Sequence, residues 1–203
     1  MRTLARALVS LATLASVPCV ANAQSVIGGL AGRVESRQIR DRGEESDTRA
    51  GVVVGAFIDV HTPVAPLSIL AEAFYAQRGG RFDLGGTSEL QGQVQSDVLG
   101  FTVAPTLRAG IGPVSVHAYA GPMVETPVGT RFTGELAPAY RNPTGQILAV
   151  TAGGGLGVRS GTWSVRVEAR VVEELSAAFA GAAGDFRHRS KEILVRLGRA
   201  TVR

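Results

Sequence analysis

The sequence predicts an all-β protein: one eight-stranded antiparallel up-and-down barrel of transmembrane type, after an N-terminal signal peptide. Three observations predict it. The chain begins with the layout of an export signal. The remainder alternates apolar and polar residues with period 2, in eight stretches longer than ordinary strands. The connections between those stretches alternate long and short.

The opening segment "MRTLARALVSLATLASVPCVANA" has Arg2 and Arg6, an apolar run from about Ala7 to Val17, and then Ala-Asn-Ala. This is the pattern of a secretory signal peptide, with cleavage expected after Ala23. The run is too short for a spanning helix, which needs about 20 residues. The expected organisation is therefore residues 1–23 as signal peptide and 24–203 as one β-barrel domain. Cys19 is preceded by Ser16-Val17-Pro18, a poor context for lipidation, so it belongs to the discarded peptide. The mature chain then holds no cysteine, which removes disulfides, a thiolate nucleophile and cysteine metal sites.

The chain has 203 residues, 45% of them hydrophobic, which suits one packed domain. Lys191 is the only lysine, so nearly all positive charge is arginine. Cleavage removes Arg2 and Arg6 from 21 basic residues, leaving 19 against 17 acidic ones and a mature charge of +2. Acids are interleaved with the arginines and no single-sign run stands out, so no nucleic-acid partner is expected.

The eight predicted strands cover roughly 25–35, 49–60, 67–78, 97–109, 112–123, 146–158, 162–174 and 189–199. Most have the length that a tilted strand needs to cross a bilayer, about 9–11 residues, against about 5–6 in ordinary sheets. The first connection, "SRQIRDRGEESDT", is long and charged; the second, "HTPVAP", is short. The third, 79–96, is long, and the fourth, "GIG" at 110–112, is tight. The fifth, 124–145, is long, the sixth, "SGT" at 160–162, is tight, and the seventh, 175–188, is long. That sorting is what a barrel shows when one rim faces the outside and the other the periplasm.

Each strand has two unlike faces. In 67–78, Leu67, Ile69, Ala71, Ala73 and Tyr75 alternate with Ser68, Leu70, Glu72, Phe74 and Ala76. In 97–109, Phe101, Val103, Pro105 and Leu107 oppose Thr102, Ala104, Thr106 and Arg108. In 112–123, Val114, Val116, Ala118 and Ala120 alternate with Ser115, His117 and Tyr119. In 162–174, Val165, Val167, Ala169 and Val171 alternate with Arg166, Glu168 and Arg170. In 189–199, Ile193, Val195 and Leu197 alternate with Glu192, Leu194 and Arg196. A membrane barrel turns the apolar face to lipid and the charged face inward. Eight strands leave an interior just filled by side chains, so inward charges must be paired. The expected interior network is Glu72, Arg108, Arg166, Glu168, Arg170, Glu192 and Arg196, stiffening and plugging the barrel. "TAGGGLGV" at 151–158 lacks the ending of a phosphate loop; its glycines are read as sites of curvature or close approach.

From Thr48 onward the chain resembles the outer-membrane β-barrel domain family, the eight-stranded porin-family (OmpA-like) barrel proteins of Gram-negative bacteria. The stretches that carry the resemblance are "AGVVVGAFIDVHTPVAPLSILAEAFYAQRGG", "VLGFTVAPTLRAGIGPVSVHAYAGPMV" and "AVTAGGGLGVRSGTWSVRVEARVVEEL". Within them Glu72, Tyr75 and Gly79, Pro105, Gly121-Pro122 and Glu168-Ala169-Arg170 match short family features. The resemblance implies an outer-membrane location, with outer-membrane lipid or lipopolysaccharide and the barrel-assembly machinery as partners. Barrels of this family usually end in an aromatic residue that aids assembly. This chain ends "LVRLGRATVR", so a divergent recognition signal is expected. Its aromatic girdles are thin, with Trp163, Tyr75, Phe57 and Phe101 as candidates.

No enzyme, cofactor or metal site is expected. His61 and His188 are placed in connections. His117 lies inward beside Ser115 and Tyr119, where a Ser-His-acid set with Glu72 or Glu168 is conceivable, but such residues belong in a polar interior without catalysis. No histidine pair has metal-ligand spacing and the carboxylates do not form a calcium loop. Asn142 precedes Pro143, so Asn-Pro-Thr is no glycosylation acceptor. In the first loop Arg37, Arg40, Arg42 and Arg49 stand among Glu35, Asp41, Glu44, Glu45 and Asp47. A solvated charged loop is the favoured reading over lipid-phosphate contact. The expected function is structural, surface-interacting or narrowly permeable at the cell surface. The alternatives are a secreted soluble β-barrel binding an apolar ligand, with its charged face outward, and a lipid-modifying outer-membrane enzyme.

Overall fold

The computed structural model describes residues 25–40, 46–83, 91–134, 145–176 and 186–201. The signal-peptide reading of 1–23 lies outside them, as do the loop residues Asp41, Arg42, Glu44 and Glu45 and the Asn142-Pro143 pair. The described chain forms β1 (Ser25–Arg40), β2 (Asp47–His61), β3 (Leu67–Asp83), β4 (Gln91–Ile111), β5 (Val114–Gly134), β6 (Ile147–Ser160), β7 (Trp163–Glu174) and β8 (Phe186–Thr201). Each strand pairs antiparallel with the next, and β8 pairs back onto β1 from Ser25↔Thr201 to Arg40↔Phe186, closing the barrel. Through the closed part of the barrel no sheet edge is left with unpaired backbone groups; the β5 extension beyond Glu125↔Ile147 runs without a β6 partner among the described residues.

The stagger follows from the registers. The pairs Arg108↔His117, His117↔Gly155, Gly155↔Glu168 and Glu168↔Leu194 run from β4 to β8. Gly32↔Leu194, Gly32↔Val53, Val53↔Ala76 and Ala76↔Val98 complete the circuit on β4. The circuit starts at Arg108 and returns at Val98, a shear of 108 − 98 = 10 residues. Strand number and shear together set the tilt and the width of a barrel. Here they leave a bore that side chains fill.

Two connections at one rim are two-residue turns. Gly112 and Gly161 open them at φ 60° and 58°, a backbone region that suits glycine. The third connection at that rim is the short segment 62–66. The strands run further toward the opposite rim than the periodicity predicts. Residues 36–40, 79–83, 91–96, 124–134 and 186–188, expected in long connections, are strand. The extra length is mostly β3, β4 and β5, which stay paired to Asp83↔Gln91 and Gly92↔Gly134. Both register irregularities, between Thr48 and Val53 and between Asp97 and Val98, lie in this half. Bulges are common at barrel rims, where pairing bends or ends. The pattern failed in this half because both faces there carry polar residues, which hides a period of two. The charged first loop is correspondingly shorter than expected, since Arg37 and Arg40 belong to β1 and Arg49 to β2.

The faces fall as the alternation predicts. Ile69, Leu107, Val116, Val167, Ile193, Val195 and Leu197 point outward and are exposed, while Leu70, Glu72, Thr102, His117, Arg166 and Glu192 are buried. Phe57 is a correction: it is buried at 3% exposure and cannot serve an outer girdle. Trp163, in contrast, stands on the outer surface at the short-turn rim.

Candidate functional site

The chemistry-bearing side chains converge inside the barrel. All seven residues expected there occupy the inward face, and the structure joins them into two groups. Near the short-turn rim Asp59 of β2 is the hub. Arg166 Nη1 of β7 stands 2.6 Å from Asp59 Oδ2, and Arg108 of β4 donates to the same oxygen. Arg108 Nη1 also lies 2.7 Å from His61 Nε2. His61, placed in a connection by the sequence, is the last residue of β2.

The second group is a single file of alternating charge along the bore. His117 Nε2 is 2.8 Å from Glu168 Oε1. Glu168 Oε2 stands 2.7 Å from Arg196 Nε as an ion pair, and Arg196 also pairs with Glu72. Glu72 Oε2 takes Arg170 Nη1 at 2.6 Å, and Arg170 Nε reaches Glu192 Oε2 at 2.6 Å. Glu192 Oε1 then accepts from Arg78 Nη1 at 2.9 Å, and Arg78 Nε donates to Glu125 at 3.0 Å. Each inner arginine thus lies between two carboxylates. The side chains of Glu72, Arg170, Arg196, Glu168 and Glu192 are all at 0% exposure, so they are neutralised by one another and not by bulk solvent. Charges so deep persist only when paired and hydrogen-bonded.

Aromatic rings complete the packing. Arg170 lies over Phe74 at 5.0 Å, Arg196 over Phe57 at 5.3 Å and over Tyr119 at 5.8 Å, and Arg166 over Phe57 at 5.7 Å. Cations over ring faces gain most when both are desolvated. Gly153 of β6 makes room for this layer, because a Cβ there would meet Arg170 Cβ at 2.7 Å and Tyr119 Cζ at 2.9 Å. That is the close approach expected of the 151–158 glycines.

Five interior residues escaped the sequence reading: Asp59, Arg78, Glu125, Glu174 and His188. His188 was expected in a connection but is buried in β8. Its Nδ1 is 3.0 Å from Glu174 Oε1 and its Nε2 is 3.0 Å from Gln38 Nε2. All five share the parity of inward residues on their own strands: Asp59 with Phe57, Arg78 with Phe74, Glu125 with Tyr119, Glu174 with Arg170, and His188 with Glu192. Asp59, Arg78 and Glu174 lie within the predicted strands, and extending β5 and β8 by that parity reaches Glu125 and His188.

The set weighed for catalysis does not assemble as a triad. His117 meets Glu168, but Glu168 is also held by Arg196 and, at 3.2 Å, by the Tyr119 hydroxyl. Glu72 is taken up by Arg170 and Arg196. Its carboxylate therefore does not face the histidine.

Closed barrel, apolar outer belt and charged bore together define the class that the fold represents: an eight-stranded barrel of transmembrane type. No protein-family model and no curated protein matches the chain. Among solved structures it is similar to Ail, the attachment invasion locus protein of Yersinia pestis, with 13% identity, a TM-score of 0.47, and coverage of 87% of this chain and 99% of that one. It is also similar to Neisserial surface protein A, with 9% identity, a TM-score of 0.48, and coverage of 84% and 95%. The outer membrane protease OmpT from Escherichia coli is similar over 90% of this chain and 98% of that one, with 8% identity and a TM-score of 0.40. At such identities, and with TM-scores below 0.5, neither residues nor roles carry over to this chain.

Proposed function

We propose that this protein is an integral outer-membrane barrel with a structural or surface-interacting role. The carrying observation is the inversion of its faces. Val52, Val54, Leu107, Val116, Leu156, Val165, Val167, Ile193 and Val195 are each 44–63% exposed around the wall, while Glu72, Arg170, Glu192 and Arg196 are buried. Leaving such a belt in water forfeits about 25 cal/mol for every Å² of apolar surface that lipid would cover. A secreted soluble barrel would need the opposite arrangement, with the charges outward.

Export through the proposed signal peptide and folding by the barrel-assembly machinery belong to the same reading. So do contact with outer-membrane lipid or lipopolysaccharide, and the absence of nucleic acid, metal and cofactor from its chemistry. The paired charges and the rings of Phe57, Phe74 and Tyr119 fill the bore, which favours a closed barrel over a conducting pore. The non-catalytic part of this reading is supported by Glu168, whose carboxylate is shared among His117, Arg196 and the Tyr119 hydroxyl.

The test is electrophoretic mobility of the outer-membrane fraction in detergent, with and without boiling. A fast band that slows on boiling is the expected result. A single unshifted band in the soluble periplasmic fraction would overturn the membrane reading. Planar-bilayer recordings then separate a closed barrel, with no steps, from a narrow pore.

A further inference from the structure

We propose that the outer wall of β6, β7, β8 and β1 carries a seat for one anionic lipid, whose phosphate sits at Lys191 and Arg33 and whose acyl chain lies over Ala152 and Ala169. The inference rests on the membrane reading. A groove of about 350 Å³ opens on this wall, lined by Arg33, Glu35, Ala152, Ala169, Lys191 and Ile193 among others. The registers make it continuous: Ala152↔Val171 joins β6 to β7, Ala169↔Ile193 joins β7 to β8, and Arg33↔Ile193 joins β8 to β1. Ala152 and Ala169 form the floor of this trough between the larger Val171 and Ile193.

The position along the wall identifies the occupant. Toward the short-turn rim the same strands present Leu156, Val165, Val167, Val195 and Leu197, all exposed. Toward the long-loop rim they present Glu173 and Arg189, which pair at 2.5 Å. On β7 and β8 the groove therefore lies between apolar and charged surface, where a lipid headgroup meets its chains, while β6 stays apolar through Val150 and Leu148. Arg33 is 67% exposed at its side chain and pairs with Glu35 at 3.1 Å. Lys191 is exposed and stands opposite Glu35 in the β1–β8 register. The mouth thus holds two cations and one acid, which favours a phosphate over a zwitterionic headgroup. Lysine is suited to this place, because its stem covers apolar surface while the ammonium reaches the headgroup layer.

The test uses the full chain refolded into vesicles of equal phosphatidylglycerol and phosphatidylcholine, extracted in mild detergent and weighed intact by native mass spectrometry. The wild type is expected to retain one phosphatidylglycerol in preference to phosphatidylcholine. Lys191→Ala is expected to reduce that retention about fivefold, the usual effect of one cation at an anionic surface. Ala169→Phe, which fills the trough, is expected to abolish the single retained lipid. Arg199→Ala removes an outward cation near the other rim and is expected to change nothing. The shift on boiling is measured for every variant. A wild type without that shift fails the membrane reading itself. A shifted wild type with no lipid preference, or an Arg199→Ala variant as impaired as Lys191→Ala, overturns the seat while leaving the barrel intact.

Discussion

Two walls of the same bore are built on opposite principles. On β7 and β8 the inward residues are Arg166, Glu168, Arg170, Glu174, His188, Glu192 and Arg196, with Leu194 and Val172 between them. On β1 and β2 they are Val26, Leu30, Val34, Val53 and Phe57 over most of the height, with Asp59 at one end and Ser36 and Gln38 at the other. Neither wall is stable alone. The charged wall needs carboxylates and arginines from β3 and β5, and its guanidinium groups need ring faces such as Phe57 and Phe74. The apolar wall needs something to exclude water from a bore too small for a core of its own. The difference teaches that a barrel of this size is plugged by complementarity between walls and not by a uniform polar filling.

The most direct way to break the charged wall is Arg170→Leu, which leaves Glu72 and Glu192 without a shared partner. A loss of about 3–5 kcal/mol is expected for breaking a buried pair, read from denaturant unfolding of the refolded protein in lipid vesicles. A loss below 1 kcal/mol would mean that pairing does not hold this wall. The outer surface is next. Val167→Arg puts a charge on the lipid side, one residue away from Arg166, and is expected to cost about 2–4 kcal/mol near the bilayer midplane. Membrane assembly should fail in cells. Normal assembly of this variant together with misfolding of Arg166→Leu would reverse the assignment of faces.

The apolar packing is tested by Gly100→Ala on β4. A Cβ there would meet Phe74 Cζ at 2.2 Å, so the ring must move away from Arg170. Overpacking of this kind costs about 1–3 kcal/mol, and the midpoint of thermal loss of the fast gel band should fall. Arg33→Ala is the smallest change. Its pair with Glu35 is exposed, and such pairs contribute about 0–1 kcal/mol. Unfolding midpoints indistinguishable from wild type are expected, and a large loss would show that Arg33 contributes more than its exposed pair within β1.

Strand number and face assignment were readable because period-2 alternation survives wherever one face is apolar. Arg166, Glu168 and Arg170 are separated by valine and alanine, the spacing of a strand with two unlike faces. Asp59 and Arg78 were readable in principle, since each shares parity with inward residues of its own strand. Glu125 and His188 were hidden because the strands carrying them run past the apolar belt, where Thr126, Thr130 and Arg189 give no contrast between faces.

The sequence by itself therefore determined the strand count, the alternation of short and long connections, and which residues face inward at belt height. These follow from local geometry, because successive strand residues must point to opposite sides. Only the tertiary structure decided which carboxylate meets which arginine. The ten-residue shear brings Glu72 of β3 across the bore to Arg170 of β7 and Arg196 of β8, and it sets Lys191 beside Arg33 on the outer wall. Such partners are separated by up to 158 positions in the chain, and no local pattern encodes a stagger that arises only when the first and last strands close.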